Sequence, residues 1–441
     1  MLFETITTCR VCGQSDLVDI LHLGDQPLAN ALVRPGSGEI KKVPLSTAFC
    51  TNCALFQLKE TVCKEVLFDH YVWVTNTSKG AREYAEIFAS RVIQRAGLKA
   101  GDLIFEIASN DGTVLKQFMA KGISVVGIEP AKNIAEMARK DGVRTDCAYW
   151  NTTTAKRLVG QYGAPRAVIA RNVIPHVSEL HGVIEAIAKA LGDDGTGVIE
   201  FHSGRIIAEE LHYDSIYHEH LCYFTAHSLG WLLKKYGLYP YAVDKSPISG
   251  GSLVFYFSKT KRPLEASYLD ILEQEKRSGV NERAVWEKFA QEANIHREKT
   301  LALLSSLKGK TIVGFGSSAR SATFINFCGI GSNYLKAIID NNPLKQALMT
   351  PAGDVPIVSF DQGMALKPDI IFVLAWNFGQ EIMDECTKRG FIGQYIMPFP
   401  KEPRLIKDRR GDGFFTFKDR WRLQDSFGPA SRPSRIFYPD L

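Results

Sequence analysis

The chain of 441 residues contains no run of eighteen consecutive apolar residues, so no membrane-spanning helix is expected. It also has no large charge excess. Its 53 lysines and arginines stand against 48 aspartates and glutamates, a net +5 that is spread along the chain rather than gathered in blocks. That balance does not imply a nucleic-acid partner, and it still suits small anions such as nucleotides. The opening MLFETITTCR lacks a basic stretch followed by an apolar one, so no secretory leader is expected. No short internal repeat is evident. Nine cysteines, four of them in two CxxC pairs, point to a reducing compartment and a bound metal, with the cytoplasm as the expected location.

A chain of this length holds roughly two to four domains. Residues 1–70 carry the paired cysteines, many turn formers and little helical periodicity, and read as a small metal-stapled module. From Leu103 onward apolar strands alternate with amphipathic helices: strand 103–107, helix 113–120, strand 124–128, helix 131–140, strand 166–170, helix 179–191, strand 196–201. Such alternation predicts a parallel sheet with helices on both faces. A charged helical spacer is expected over 264–307. A second α/β series follows, with strands at 311–314, 335–339 and 369–374 and a helix at 319–327. The expected division is a zinc-binding module over 1–70, an α/β domain over 71–260, a second Rossmann-like α/β domain over 261–400, and an irregular basic tail over 401–441.

Five constellations carry chemistry. Cys9-x-x-Cys12 and Cys50-x-x-Cys53 can give a tetrahedral zinc four thiolates, which leaves no open position and so predicts a structural metal. Free cysteines or a redox pair are the alternative. The stretch Phe105-Glu106-Ile107-Ala108-Ser109-Asn110-Asp111-Gly112 reads as a strand ending in an acid, a tight turn and a helix start, the way an α/β sheet forms a cofactor crevice at its carboxyl edge. About twenty residues on, the strand ending Gly127-Ile128-Glu129-Pro130 offers a carboxylate for the two ribose hydroxyls of an adenosine cofactor. By geometry alone NAD and S-adenosylmethionine compete for that crevice. Asn172 and His176, in Arg171-Asn172-Val173-Ile174-Pro175-His176, should face it. Tyr217-His218-Glu219-His220 is costly as surface and poor as core, and its imidazoles and carboxylate suit proton transfer near neutral pH. A metal site or a solvated loop is the bland alternative. Last, Gly314-Phe315-Gly316-Ser317-Ser318-Ala319-Arg320 is a weak nucleotide signature that serves equally well as plain helix-on-strand packing.

Taken in order, these motifs resemble the deoxysugar C-methyltransferases. To them the sequence adds Gly250-Gly251-Ser252-Leu253, Asp340-Asn341-Asn342-Pro343-Leu344-Lys345-Gln346 and Leu374-Ala375-Trp376-Asn377-Phe378, so that the likeness runs over about residues 5–400. The resemblance implies a four-cysteine zinc module, a class I methyltransferase domain and a C-terminal Rossmann-like domain. It implies methyl transfer from S-adenosylmethionine to C3 of a nucleotide-linked 4-keto-6-deoxysugar, with dTDP as the expected nucleotide. His176, Tyr217, Glu219 and His220 would line the sugar site, with His220 as base and Glu219 orienting its ring or binding a neighbouring hydroxyl. Glu106, Ser109, Asn110, Asp111, Gly112, Glu129, Pro130 and Asn172 would hold the cofactor. Arg320 and Lys345 would approach the nucleotide phosphates. A nucleotide-sugar-binding protein without turnover, or an NAD-dependent sugar dehydrogenase or epimerase, is the rival reading. Ser249, where relatives usually carry His, and Ala108, where Gly is usual, depart from the pattern.

Overall fold

The computed structural model describes residues 2–38, 40–63, 66–67, 74–77 and 79–406. The tail, from residue 407 on, lies outside the described residues.

At the N-terminus, β1 (Phe3–Thr5) pairs with β5 (Glu60–Val62). β2 (Leu17–Pro27), β3 (Lys42–Cys50) and β4 (Phe56–Leu58) form an antiparallel sheet. Its fourth strand comes from far along the chain: β11 (Cys222–Tyr223) pairs with β4, directly after the Tyr217–His220 run.

The central sheet is built from β6 (Leu103–Ile107), β7 (Ser124–Ile128), β8 (Thr145–Asp146), β9 (Ala167–Arg171), β10 (Thr196–His202), β12 (Tyr239–Ser246) and β13 (Ser252–Ser258). Their spatial order is β12-β13-β10-β9-β6-β7-β8, and only β13 runs against its neighbours. Strands covered on both faces read as unbroken apolar runs, and β10 is buried at all seven positions. The helix Leu180–Ala190 covers one face with Leu180, Val183, Ile184, Ile187 and Ala190, which recur at helical spacing. The turn after β6 alternates left-handed residues, Ala108 (φ 51°), Asn110 (φ 52°) and Gly112 (φ 74°). At Gly112 a Cβ would sit 2.7 Å from Val143, so packing as well as φ demands glycine there. Ala108 adopts the left-handed form without that freedom, at a cost of about 1–2 kcal/mol.

The expected spacer is two helices, Ala266–Ser278 and Arg283–Ser306, separated at Gly279 (φ 67°). It is no free linker. Trp286, Phe289, Ala293 and His296 form a buried stripe, and Trp286 stacks on Phe56 of β4 at 3.8 Å between ring centroids. The second sheet has the order β16-β15-β14-β17-β18-β19, from β14 (Ile312–Phe315), β15 (Ile338–Ile339), β16 (Ile357–Val358), β17 (Ile370–Val373), β18 (Gln394–Met397) and β19 (Arg404–Ile406). All are parallel except β19. In both α/β sheets the strand order reverses beside the first strand, at β6/β9 and at β14/β17, and ligands of such sheets bind at those reversal points.

Candidate active site

Both reversal points open into one cavity of about 720 Å³. Its walls include Glu106, Ser109, Asn110, Glu129, Pro130 and Asn172 from the strand ends of the central sheet, and Tyr149–Asn151 after β8. A second group comprises His176, His202, Tyr217, His220, Ser249 and Gly250. Ser318–Arg320 after β14 and Ala375, Asn377 and Phe378 after β17 close it from the C-terminal domain.

At the first end, Glu106 is buried, and among the described residues neither its Oε2 nor the buried Oγ of Ser109 has a hydrogen-bond partner. Burial pushes the Glu106 carboxyl up to about 8, with neighbouring carboxylates adding to the rise and Arg171 opposing it. Glu129 is spanned by backbone amides: Asn110 N–H donates to Oε2 and Ala131 N–H to Oε1, both at 2.9 Å. Two lone-pair positions remain for other donors. Asn110 also ties the wall to the 74–77 segment, because its Oδ1 accepts from the Thr75 amide at 2.9 Å. Of the expected cofactor residues, Asp111 and Gly112 do not line the cavity. Asp111 accepts from the amides of Asn76 and Thr113 instead, and Gly112 packs on Val143. Orphaned acidic and hydroxyl oxygens beside an acid-ended second strand suit an adenosyl amino acid, whose ammonium Glu106 could hold and whose ribose hydroxyls Glu129 could hold.

The second end is a ring cluster. His220 Nδ1 lies 2.8 Å from the Ser215 carbonyl, so it carries the proton, and Nε2 is left to accept from the Tyr217 hydroxyl at 2.7 Å. His176 meets the His220 ring edge-on at 4.6 Å. Burial lowers His176 to about 4 and holds His220 well below the usual histidine range, with His176 and Arg320 adding repulsion at His220. Both rings are therefore neutral at pH 7. His218 and Glu219 of the same run do not line the cavity. His218 Nε2 donates to the carbonyls of Val43 and Pro44, and Glu219 Oε1 accepts from Asn30 Nδ2 at 2.5 Å. The ring-orienting contact expected of Glu219 is made by the Ser215 carbonyl.

The two cations expected near phosphates are placed differently. Arg320 lines the cavity, but its Nε and one terminal nitrogen grip Asp214 at 2.9 and 2.8 Å, and the other terminal nitrogen donates to Ser249 O at 2.8 Å. Trp376 Nε1 donates to the same carboxylate, which is buried. Arg320 thus closes a buried ion pair between the two α/β domains. Lys345 does not line the cavity, and its Nζ donates to Ser317 O at 2.6 Å, with Asp340 Oδ2 at 3.4 Å. Gly316 (φ 96°) serves packing, since a Cβ there would lie 2.3 Å from that of Ala375.

In the N-terminal sheet the ligand sulfurs of Cys9, Cys12, Cys50 and Cys53 all lie within 4.8 Å of one another, with Cys9–Cys53 and Cys12–Cys50 at 3.5 Å. Four Zn–S bonds of about 2.3 Å in a tetrahedron place sulfurs roughly 3.8 Å apart, so this donor set fits zinc and no water position remains.

Sequence reasoning missed Arg171, His202, Ser215 and Tyr149–Asn151. Arg171 and His202 are the last residues of β9 and β10, and a polar residue closing an apolar strand is the signal that could have found them.

A seven-stranded, mostly parallel sheet with one reversed strand next to its last, and an acid-ended cofactor crevice, defines a class I S-adenosylmethionine-dependent methyltransferase. Three family models match in series: "Putative zinc binding domain" over residues 9–68, "Methyltransferase domain" over 81–243 and "C-methyltransferase C-terminal domain" over 247–400. The C-methyltransferase NovU of Streptomyces niveus is 30% identical over 414 residues, 92% of this chain and 98% of that protein. The chain belongs to this family of S-adenosylmethionine-dependent C-methyltransferases. Among solved structures, protein PH0226 of Pyrococcus horikoshii covers 45% of the chain and 98% of its own length at 15% identity and a TM-score of 0.36. The magnesium protoporphyrin IX methyltransferase of Synechocystis covers 45% and 89% at 12% identity and a TM-score of 0.32. Among the described residues, no helix is long and apolar enough to cross a membrane.

One pH effect arises directly from Glu106. Burial holds its carboxyl near 8, so it would have to ionise to pair with an ammonium. At pH 7 binding of S-adenosylmethionine should release about one proton, and affinity should climb between pH 6 and 8 as the carboxylate forms. Calorimetry in buffers of different ionisation enthalpy counts that proton. In Glu106→Gln the count should fall to near zero.

Proposed function

We propose that the chain methylates C3 of a nucleotide-linked 4-keto-6-deoxysugar, dTDP being the expected nucleotide, through an enolate, with His220 as base. The observation that carries this reading is the single cavity that joins the Glu106–Glu129 crevice to the His176–Tyr217–His220 cluster under the C-terminal domain. Methylation at carbon needs a carbanion equivalent, and a ketone beside that carbon makes its hydrogen acidic by taking the charge on oxygen. The bound S-adenosylmethionine would supply an electrophilic methyl on a positively charged sulfur.

In this reading Glu106 and Glu129 hold the amino acid and ribose ends of the cofactor. Neutral His220 takes the C3 proton at Nε2, its Nδ1–H fixed on Ser215 O. The C3–H electron pair moves into the enolate, whose charge settles on O4. Tyr217 turns its hydroxyl from Nε2 to that oxygen, with His176 as a second donor. The depressed proton affinity of His220 comes from burial beside His176 and Arg320, and an enolate charge alongside would raise it. Held in this way, the enolate carbon would be placed to accept the methyl, the S–CH3 bond breaking with its electron pair left on the sulfur, and the proton on His220 leaves to solvent. The helix Ala319–Cys328 begins at the cavity wall, where Ser318, Ala319 and Arg320 line it, and its positive end would suit a pyrophosphate better than the Arg320 side chain, which is paired with Asp214.

A second reading rests on the 2.7 Å Tyr217–His220 bond. There Tyr217 passes its proton to His220 Nε2 and takes the C3 proton itself.

Incubation with ¹³C-methyl S-adenosylmethionine and a dTDP-linked 4-keto-6-deoxysugar tests the function. The label should appear as a methyl on a ring carbon that has lost its hydrogen. Label on oxygen, or none in product, would refute it.

A further inference from the structure

Arg171, which no role above absorbs, is the last residue of β9 and stands at the carboxyl edge beside the β6 strand that ends in the Glu106 turn. It lines the cavity. Its Nε donates to Glu200 Oε2 at 2.9 Å. Glu200 is fully buried and is itself pinned at Oε1 by the hydroxyls of Tyr84 at 2.8 Å and Ser246 at 2.6 Å. The guanidinium lies over Phe88, 4.6 Å from the ring centroid, with Tyr84 on its flank at 5.6 Å. The group is thus aimed by an anchored carboxylate and two rings, all supplied by other elements. Yet none of the described residues accepts a hydrogen bond from its two terminal nitrogens. Arg320, by contrast, has both terminal nitrogens and Nε engaged.

A guanidinium held this firmly at one edge, with its fork left over, is built to receive a planar anion. The neighbouring wall holds the complementary group on the adjacent strand, Glu106 Oε2, which no described residue partners. A cation site and an anion site side by side at one strand edge match the two poles of an α-amino acid. We propose that Arg171 is the positioning residue for the methionine carboxylate of the cofactor, gripping it with its terminal N–H groups while Glu106 meets the ammonium. Glu200 would then act through Arg171 and touch no ligand. The inference rests on the cofactor reading of this cavity, and it adds a purpose: fixing the amino-acid end sets where the sulfur lies relative to the His220 cluster.

The test compares two probes, S-adenosylhomocysteine and 5′-methylthioadenosine, which share the adenosine and the sulfur but differ in the amino-acid end. Both are titrated by calorimetry onto the full chain and onto Arg171→Met. Loss of a charge-assisted pair should weaken S-adenosylhomocysteine by about 30-fold or more, while 5′-methylthioadenosine changes less than about threefold. Arg171→Lys should recover part of the loss, as a point charge without the fork. Since Arg171→Met strands a buried Glu200, the double variant Arg171→Met/Glu200→Gln is measured alongside and should show the same selective loss. Equal weakening of both probes, or unchanged S-adenosylhomocysteine affinity in a folded variant, would overturn the proposal. Failure of the parent chain to bind S-adenosylhomocysteine would overturn the cofactor reading itself, and is told apart because no variant is involved.

Discussion

Cys9→Ser or Cys53→Ser should leave the protein with far less than one zinc per chain and at least ~100-fold less active, although no cysteine of the cluster lines the cavity. The coupling runs through the sheet. β11 pairs with β4, and the Leu58 amide donates to Leu221 O at 3.0 Å. His218 bonds the β3 carbonyls of Val43 and Pro44, and Asn30 holds Glu219. The segment that presents Tyr217 and His220 is therefore clamped on its far side by the module the metal staples. Structural zinc contributes about 10–16 kcal/mol to small modules at pH 7, as much as the whole stability of many domains. Without it β4 loses its footing, and displacement of His220 by an ångström is enough to cost two orders of magnitude. Metal analysis, limited proteolysis and turnover measure the three effects together. Cys63→Ser, outside the cluster, should change none of them. A zinc-free variant with intact activity would show that the module does not support the site.

His220→Asn should reduce turnover by a factor of about 10²–10⁴ with substrate affinity nearly unchanged. Asparagine can keep a donor toward Ser215 O, but it offers no basic nitrogen to the cavity. Tyr217→Phe separates the two readings of the 2.7 Å bond. If Tyr217 only stabilises the enolate oxygen, the phenylalanine variant frees Nε2 and loses roughly 10- to 100-fold, and proton removal persists. If Tyr217 is the base, its loss matches that of His220→Asn. Glu219→Gln should fall well short of either, because that carboxylate faces Asn30 rather than the reacting groups.

The strand ends were legible in the sequence for a physical reason. Parallel strands covered on both faces are apolar throughout, so Glu106, one residue before the end of β6, and Glu129, just past the end of β7, stand out as polar residues at their ends. The Tyr217–His220 run was visible as an anomaly of composition, but not its division of labour. The His220 amide donates to Tyr217 O at 2.8 Å, a turn that brings positions 217 and 220 to the cavity and sends 218 and 219 to the zinc module. Arg320 and Lys345 show the limit most plainly. Each is expected near the nucleotide phosphates, and each also has a partner that the sequence does not reveal: Asp214 lies 106 residues upstream, and Ser317 28 residues upstream. Pairings across such distances leave no local trace. The β4–β11 pairing is invisible for the same reason, as two residues of strand carry no period.

The most direct test of the account is exchange of the C3 hydrogen with solvent. The full chain, S-adenosylhomocysteine and a dTDP-linked 4-keto-6-deoxysugar are incubated in D₂O and followed by proton NMR. With no methyl to transfer, the enolate can only return a deuteron, so the C3 signal should fade with the parent chain and persist with His220→Asn. A C3 signal that persists with the parent chain, under conditions where it methylates the same sugar, would contradict an enolate formed by proton removal in this cavity.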